Sequence, residues 1–190
     1  MIWLLVTVVA LAGVLLAEHR ESPAVLRIAK PLASVGFLGY ALHCGALDSA
    51  YGTALLVGLA CSWFGDVFLL SKRQGGFLAG LIAFFLAHVA YIVAFATLEP
   101  SLPHVLGVSA VLLLPAIAVR RWLSPHVPRG LRRPVDLYTL VITIMVATAI
   151  AAWFAGGSIV MLIGALAFYL SDLSVARDRF VAPGFDNRLW

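Results

Sequence analysis

Two aspartates lie inside otherwise apolar stretches of this sequence. Asp66 follows Gly65 in an apolar run that begins near Tyr51, and Asp172 lies near the end of a second apolar run. A charge placed in hydrocarbon costs about 3 kcal/mol on insertion scales, so such residues usually have a function. Of two carboxylates, one can hold a proton while the other stays ionised and positions water. We therefore interpret Asp66 and Asp172 as candidate general acid–base catalysts.

A simpler interpretation of the two aspartates is structural. Each carboxylate would then form an ion pair with a basic residue near the membrane interface, for which the candidates are Lys30, Arg73 and Arg177. At the level of the sequence both interpretations stay open.

Other polar side chains lie in the same runs or in neighbouring ones, and we predict that they bind substrate. Lys30 would meet a lipid phosphate as a point charge, although a basic residue near a helix start is also a common topology anchor. His88 would otherwise hydrogen bond to a neighbouring helix, and Asp136 would otherwise favour its helix N-terminus electrostatically. Tyr91 and Tyr138 would otherwise form hydrogen bonds between helices or line a pocket. The predicted substrate-binding residues are Lys30, Ser62, His88, Tyr91, Asp136, Tyr138 and Ser171.

The composition places these residues in a membrane protein. The 190 residues are 63% hydrophobic and 12% charged, with a mean hydropathy of +1.03, whereas soluble domains are about 45 to 50% apolar and about 25% charged. The apolar runs approach the length of ~20 residues that a helix needs to cross a bilayer. None shows the alternation of apolar and polar residues that is typical of strands in a membrane barrel. We predict an all-α, polytopic transmembrane helix bundle that forms one domain over residues 1–190. The predicted spans are residues 2–17, 31–47, 51–70, 77–97, 104–119, 135–153 and 157–176.

Small and polar residues gather on one face of three of these spans. Such a face lets helices approach closely in a membrane, so we expect it to point toward other helices and not toward lipid. Each aspartate lies four residues from the predicted end of its span, or about 6 Å by helix rise. The faces comprise Gly58, Cys61, Ser62, Gly65 and Asp66 in span three; Gly80, Phe84, Ala87, His88, Tyr91 and Phe95 in span four; and Gly164, Ala165, Phe168, Ser171 and Asp172 in span seven.

The basic residues predict the orientation of the chain. All 13 Lys and Arg residues follow odd-numbered spans, and the loops on the opposite side contain Asp48 and Glu99 but no Lys or Arg. By the positive-inside rule the N-terminus is outside and the C-terminus is cytoplasmic, so the aspartates lie toward the cytoplasmic leaflet. We expect an integral protein of a bacterial-type inner or plasma membrane. The basic charge then reflects topology and not nucleic-acid binding.

Metal and cofactor chemistry has little support in the sequence. The five histidines are scattered, and no His-x-x-x-His or Cys-x-x-Cys pair is present. There is also no nucleophile elbow, P-loop or dinucleotide fingerprint. Cys44 and Cys61 are predicted to be free thiols. We expect neither a metal nor a cofactor.

Two other classes of membrane protein also place acids within spans. An intramembrane aspartyl protease uses two aspartates, but Trp63-Phe64-Gly65-Asp66 lacks the first glycine of its Gly-x-Gly-Asp motif, and no Pro-Ala-Leu follows Asp172. A small transporter or a lipid-sensing protein would use the same acids as proton or ligand sites. A product assay separates these classes from a hydrolase.

Short segments spread over most of residues 28–181 match, in the same order, segments of a known family. They are Lys30-Pro31-Leu32, the run from Gly65 to Leu70, the run from Phe77 to Tyr91, the run from Gly164 to Asp172, and Arg179-Phe180. Together these segments resemble the YhhN-type membrane proteins, whose characterised members are lysoplasmalogenases. Family members usually carry a further apolar helix after the Arg-Phe segment, and we expect that eighth helix to be absent from this sequence.

The resemblance implies an activity on lipids. That activity is hydrolysis of the vinyl ether bond of a lysoplasmalogen, a lysophospholipid of the bilayer, to a fatty aldehyde and glycerophosphoethanolamine or glycerophosphocholine. Vinyl ether hydrolysis needs one acid that protonates carbon and one carboxylate that positions water, so Asp66 and Asp172 would suffice without a cofactor. Which of them is the acid stays open, because a coupled pair titrates jointly.

Overall fold

Seven α-helices account for most of the residues that the structure describes. The computed structural model describes residues 2–20, 22–71, 73–184 and 187, and these residues contain no strand. Short 3₁₀ turns at Ala46–Asp48 and Arg129–Leu131 precede the third and sixth helices. The helices are α1 (Ile2–His19), α2 (Pro23–His43), α3 (Ala50–Leu69), α4 (Gln74–Ala96), α5 (Leu102–Leu123), α6 (Arg132–Phe154) and α7 (Ile159–Phe180).

These helices have the length and composition of membrane spans. Each has at least 18 residues and a window with a mean hydropathy of 1.3 or more, which suits a hydrocarbon core about 30 Å thick. Large apolar side chains lie on the outer surface, and Leu114 and Val160 are each 72% exposed. Such exposure is expected where the surroundings are lipid. The predicted all-α class with seven spans is confirmed, and the chain is an integral membrane protein.

Helix α2 begins before its predicted start at residue 31. Pro23 occupies the first turn, where its missing N–H costs no intrahelical hydrogen bond. Pro31 lies inside the helix, as membrane helices allow. The helix ends at His43 instead of residue 47 because Gly45 has a φ of +77°, a left-handed conformation that terminates helices. Lys30 therefore lies within α2 and does not open it.

The chain divides into two compact units, residues 1–94 and 95–190. In the first unit α2 packs against α1 and α3, and glycines of α3 pack against aromatic rings of α4. In the second unit α6 packs against α5 and α7, and most of α6 from Val141 to Ala152 is buried. Asp66 belongs to the first unit and Asp172 to the second. Each unit positions one of the two aspartates.

The two aspartates lie at different distances from the ends of their own helices. Asp66 is three residues before Leu69, the end of α3, and Asp172 is eight residues before Phe180, the end of α7. At 1.5 Å per residue these separations are about 4.5 Å and about 12 Å. The predicted equal separation is wrong because α7 continues through the basic residues Arg177 and Arg179, whose charges favour a helix C-terminus.

Candidate active site

Asp66 lies at the contact between α2 and α3. Its Oδ1 is 3.3 Å from Nζ of Lys30, and its Oδ2 accepts a hydrogen bond of 2.7 Å from the Ser34 hydroxyl. One turn earlier on α3, the Trp63 indole N–H donates to the Pro31 carbonyl at 3.3 Å. Lys30 and Ser34 of α2 therefore contact one turn of α3, and Pro31 contacts the preceding turn. Both oxygens of the Asp66 carboxylate have a donor.

The ion pair of Lys30 with Asp66 is the contact that the structural interpretation of Asp66 requires. The Lys30 side chain is 32% exposed and that of Asp66 is 22% exposed, so neither is sealed from an incoming ligand. An ammonium group has three N–H donors, and the contact with Asp66 does not use them all. Binding of a lipid phosphate by Lys30 stays a prediction.

Sequence reasoning did not identify Ser34, which is buried and contacts Asp66. A serine in an apolar helix often donates to the carbonyl four residues earlier, and the Ser34 hydroxyl does lie 3.2 Å from the Lys30 carbonyl oxygen. This common arrangement makes the residue inconspicuous. The available signal was its spacing, because residues four apart share one face of a helix.

Helix α3 meets α4 through small residues, as predicted for its face. A methyl group at Gly65 would collide with the Phe84 ring, and Ser62 Oγ lies 3.0 Å from the Tyr91 hydroxyl in a buried hydrogen bond. Gly65 and Ser62 are both buried. Asp66, at the edge of the same face, contacts α2 instead. This face of α3 therefore contacts both α4 and α2.

His88 is fully buried on α4. Its Nδ1 donates to the Phe84 carbonyl of the preceding turn at 2.6 Å, and because a carbonyl only accepts, Nδ1 carries a proton. The imidazole lies edge-on to the Tyr91 ring, with centroids 6.2 Å apart. His88, Tyr91 and Ser62 therefore form a polar row where α3 and α4 meet. That these three residues bind substrate stays a prediction.

Asp172 meets Tyr138 at the contact between α6 and α7. The Tyr138 hydroxyl donates to Oδ2 of Asp172 at 2.6 Å, within the range of O–H···O hydrogen bonds. Ser171 is half-buried one position earlier, which places it about 100° around α7. The structure thus brings together two of the residues that the sequence singled out. A substrate contact for Ser171 stays a prediction.

Asp136 forms an ion pair with Arg120 of α5. Nε of Arg120 lies 2.8 Å from Oδ1, and Nη2 lies 3.2 Å from Oδ2. Because α6 begins at Arg132 and not at the predicted residue 135, Asp136 lies a full turn inside the helix. Tyr138 is two positions further on, about 200° around the helix axis. Asp136 therefore lies on a different side of α6 from the contact between Tyr138 and Asp172.

A metal centre is not apparent in the described part of the chain. There, no group of three or more His, Cys, Asp or Glu side chains is placed to hold a metal ion. Cys44 and Cys61 are both free thiols, Cys44 exposed and Cys61 half-buried.

The sequence is similar to a known protein family and to two curated proteins. The sequence model of the YhhN family matches residues 25–189. Lysoplasmalogenase TMEM86A of Bos taurus is 32% identical over 144 residues, covering 69% of this chain and 55% of the relative. Lysoplasmalogenase TMEM86B of Sus scrofa is 34% identical over 133 residues, covering 70% of this chain and 54% of the relative. The chain therefore spans about half the length of these curated relatives, and no solved structure matches it.

Proposed function

This chain belongs to the YhhN family, and from that membership we propose that it is a lysoplasmalogenase, a membrane hydrolase that cleaves the vinyl ether bond of a lysoplasmalogen. The observation that carries the proposal is the pair of relatives that bear this name, at 32% and 34% identity over about 70% of the chain. The products are a fatty aldehyde and glycerophosphoethanolamine or glycerophosphocholine.

The reaction needs one proton donor and one ionised carboxylate. The donor protonates the outer carbon of the vinyl ether R-CH=CH-O-R′, which leaves an oxocarbenium ion. Water adds to this ion and gives a proton to the carboxylate, and the hemiacetal then collapses to R-CH₂-CHO and HO-R′. One water is consumed for each aldehyde and alcohol formed, and no oxidant or reductant is required.

We assign the role of the ionised carboxylate to Asp66. Its ion pair with Lys30 and its hydrogen bond from Ser34 support this role, because a charge held in one orientation before the reaction stabilises the cation that forms. Asp172 is then the proton donor, and Tyr138 holds it from α6. The vinyl ether of a lipid lies just beneath the head group, and Asp66 lies about one turn from the end of its span.

Release of aldehyde by the purified full chain tests the proposal. A 1-alkenyl lysophospholipid should yield a fatty aldehyde and a water-soluble phosphodiester. The matched 1-alkyl lysophospholipid has the same ether oxygen without the double bond, so no carbon can be protonated and no aldehyde should form. A folded protein that releases no aldehyde from the alkenyl lipid would contradict the proposal, as would equal turnover of a 1-acyl lysophospholipid, which would indicate an esterase.

A further inference from the structure

A cavity lies between the end of α5 and the start of α6, within the second unit. Its volume is about 130 Å³. Its wall is partly apolar, and the polar residues that line it are Arg120, Ser124, Arg132, Asp136 and Thr139. Two arginines and two hydroxyl-bearing residues therefore border one small space.

Contacts within the unit hold both arginines in place. Arg120 donates from Nε and Nη2 to Asp136, and Arg132 donates from Nε to the Val127 carbonyl at 3.3 Å. A guanidinium group has five N–H donors, so these contacts use two on Arg120 and one on Arg132. The other donors can serve a ligand. Two arginines and one aspartate give the lining a net charge of +1.

The size and charge of the cavity define the class of ligand. At about 130 Å³ the cavity is smaller than sites for drug-sized ligands, which have about 300 to 1,000 Å³. A phosphate group suits this space, and the guanidinium fork matches its oxygens. A phosphodiester carries one negative charge, which balances the net charge of +1 on the lining. A phosphomonoester carries about −1.5 to −2 and would exceed that charge.

The position of the cavity favours a lipid as the source of that phosphodiester. Helices α5 and α6 are both membrane spans, and the cavity lies where one ends and the other begins, which is the level of the head groups. Asp136 lines the cavity, whereas Tyr138 contacts Asp172 from a different side of α6. The cavity is therefore separate from the contact to which we assign proton donation.

We propose that this cavity binds the phosphodiester of a phospholipid head group through Arg120 and Arg132. The site lies outside the proposed hydrolysis and does not depend on it. A bound lipid would join the end of α5 to the start of α6. A water-soluble glycerophosphodiester carries the same chemical group, so the test includes both forms.

Native mass spectrometry of the full chain in detergent, with phosphatidylglycerol as the probe, tests the site. Arg132→Gln should bind the lipid about tenfold more weakly than the natural sequence, as expected for the loss of a charge-assisted hydrogen bond. Arg121 and Arg133 belong to the same basic segment but lie outside the lining. Arg121→Gln and Arg133→Gln therefore make the same charge change and should bind as the natural sequence does.

A second variant guards against misfolding and against a net-charge effect. Combining Arg120→Gln with Asp136→Asn removes the ion pair without changing the net charge, and this variant should also lose the lipid. Excess glycerophosphoglycerol distinguishes the two sources: if it displaces the lipid, the phosphodiester suffices as ligand, and if it does not, the acyl chains are also needed. Equal weakening by Arg121→Gln or Arg133→Gln, or unchanged binding by folded variants of the lining, would overturn the proposal, because the segment would then attract lipid through its total charge alone.

Discussion

Asp66 has a donor on each carboxylate oxygen, and both donors come from one turn of α2. A carboxylate held from two sides keeps one orientation, whereas an unrestrained carboxylate rotates freely. Groups oriented in advance are effective in catalysis because little rearrangement is needed as charge develops. In the proposed mechanism Ser34 is thus a positioning residue, and Lys30 supplies the opposite charge.

Removing either donor to Asp66 should lower turnover more than substrate binding. In Ser34→Ala we expect kcat to fall about tenfold with little change in KM, because the lost contact orients a catalytic group, and in Lys30→Met we expect the same fall in kcat. Lys30→Arg keeps the positive charge and should recover part of the activity. Steady-state kinetics of aldehyde release measures both constants.

A matched control for Ser34 is available in α7. The Ser174 hydroxyl donates to the Leu170 carbonyl four residues earlier, at 3.2 Å, so Ser174→Ala removes a comparable intrahelical bond without touching Asp66. This variant should keep its kcat. If Lys30→Met instead raises KM and leaves kcat unchanged, Lys30 binds the substrate phosphate and does not act through Asp66.

At the scale of the elements, the contact between α3 and α4 depends on glycine. The Phe84 ring occupies the space into which a side chain at Gly65 would project, and close approach of this kind is a main source of helix association in membranes. Gly65→Ala should therefore destabilise the protein by about 1 to 3 kcal/mol, as overpacking does. Thermal unfolding in detergent should show a lower Tm.

Gly164→Ala is the matched control for that substitution. Gly164 also lies inside a helix, but among the described residues no atom outside the adjoining residues and the nearby backbone of that helix lies within 4 Å of the position that its Cβ would take. Alanine there should leave Tm unchanged or raise it, because alanine favours a helix by up to about 1 kcal/mol relative to glycine. Equal shifts of Tm in the two variants would show that Gly65 is not a packing residue.

An element could be predicted from the sequence where its own residues determine it, without knowledge of its neighbours. The seven spans were predicted because a lipid surrounding requires long apolar helices whatever their neighbours. The small face of α3 was also correct. The same argument was wrong for Gly164, which is exposed on α7, because small residues do not specify whether a neighbouring helix is present.

The missed features of the candidate sites depend on contacts between distant parts of the chain. Ser34 was overlooked because its contact with Asp66 requires knowing which turn of α2 meets α3. The pairing of Arg120 with Asp136 likewise depends on how α5 and α6 align. The predicted start of α2 was wrong because proline is favoured in the first turn of a helix. Both Pro23 and Pro31 fit that position, and the helix begins at Pro23.

At the scale of the whole molecule, the proposed orientation rests on the distribution of positive charge. Cys44 is exposed between α2 and α3, on the side without basic residues, so an impermeant thiol reagent should label it from outside the cell. In a chain with Cys44→Ser and Cys61→Ala, a cysteine in place of Gln74 should react only after the membrane is permeabilised. The reverse pattern of labelling would invert the topology.

Each unit contains one of the two aspartates, and a mutant cycle tests whether both serve one reaction. Asp→Asn keeps the size of the side chain and removes proton exchange, so Asp66→Asn and Asp172→Asn should each lower kcat at least about 10²-fold. The double variant should be little worse than either single one, because groups that act as a unit are not additive. Aldehyde release and Tm should be measured for all three.

Asp48→Asn is the control for this cycle, since Asp48 lies in the 3₁₀ turn between α2 and α3 and should keep full activity. A double variant whose loss equals the product of the two single losses would mean that the aspartates act in independent steps. A well-folded single variant with near-full turnover would show that its aspartate is structural. The ion pair of Asp66 with Lys30, or the bond from Tyr138 to Asp172, would then serve helix packing alone, because the chemistry would proceed without that carboxylate.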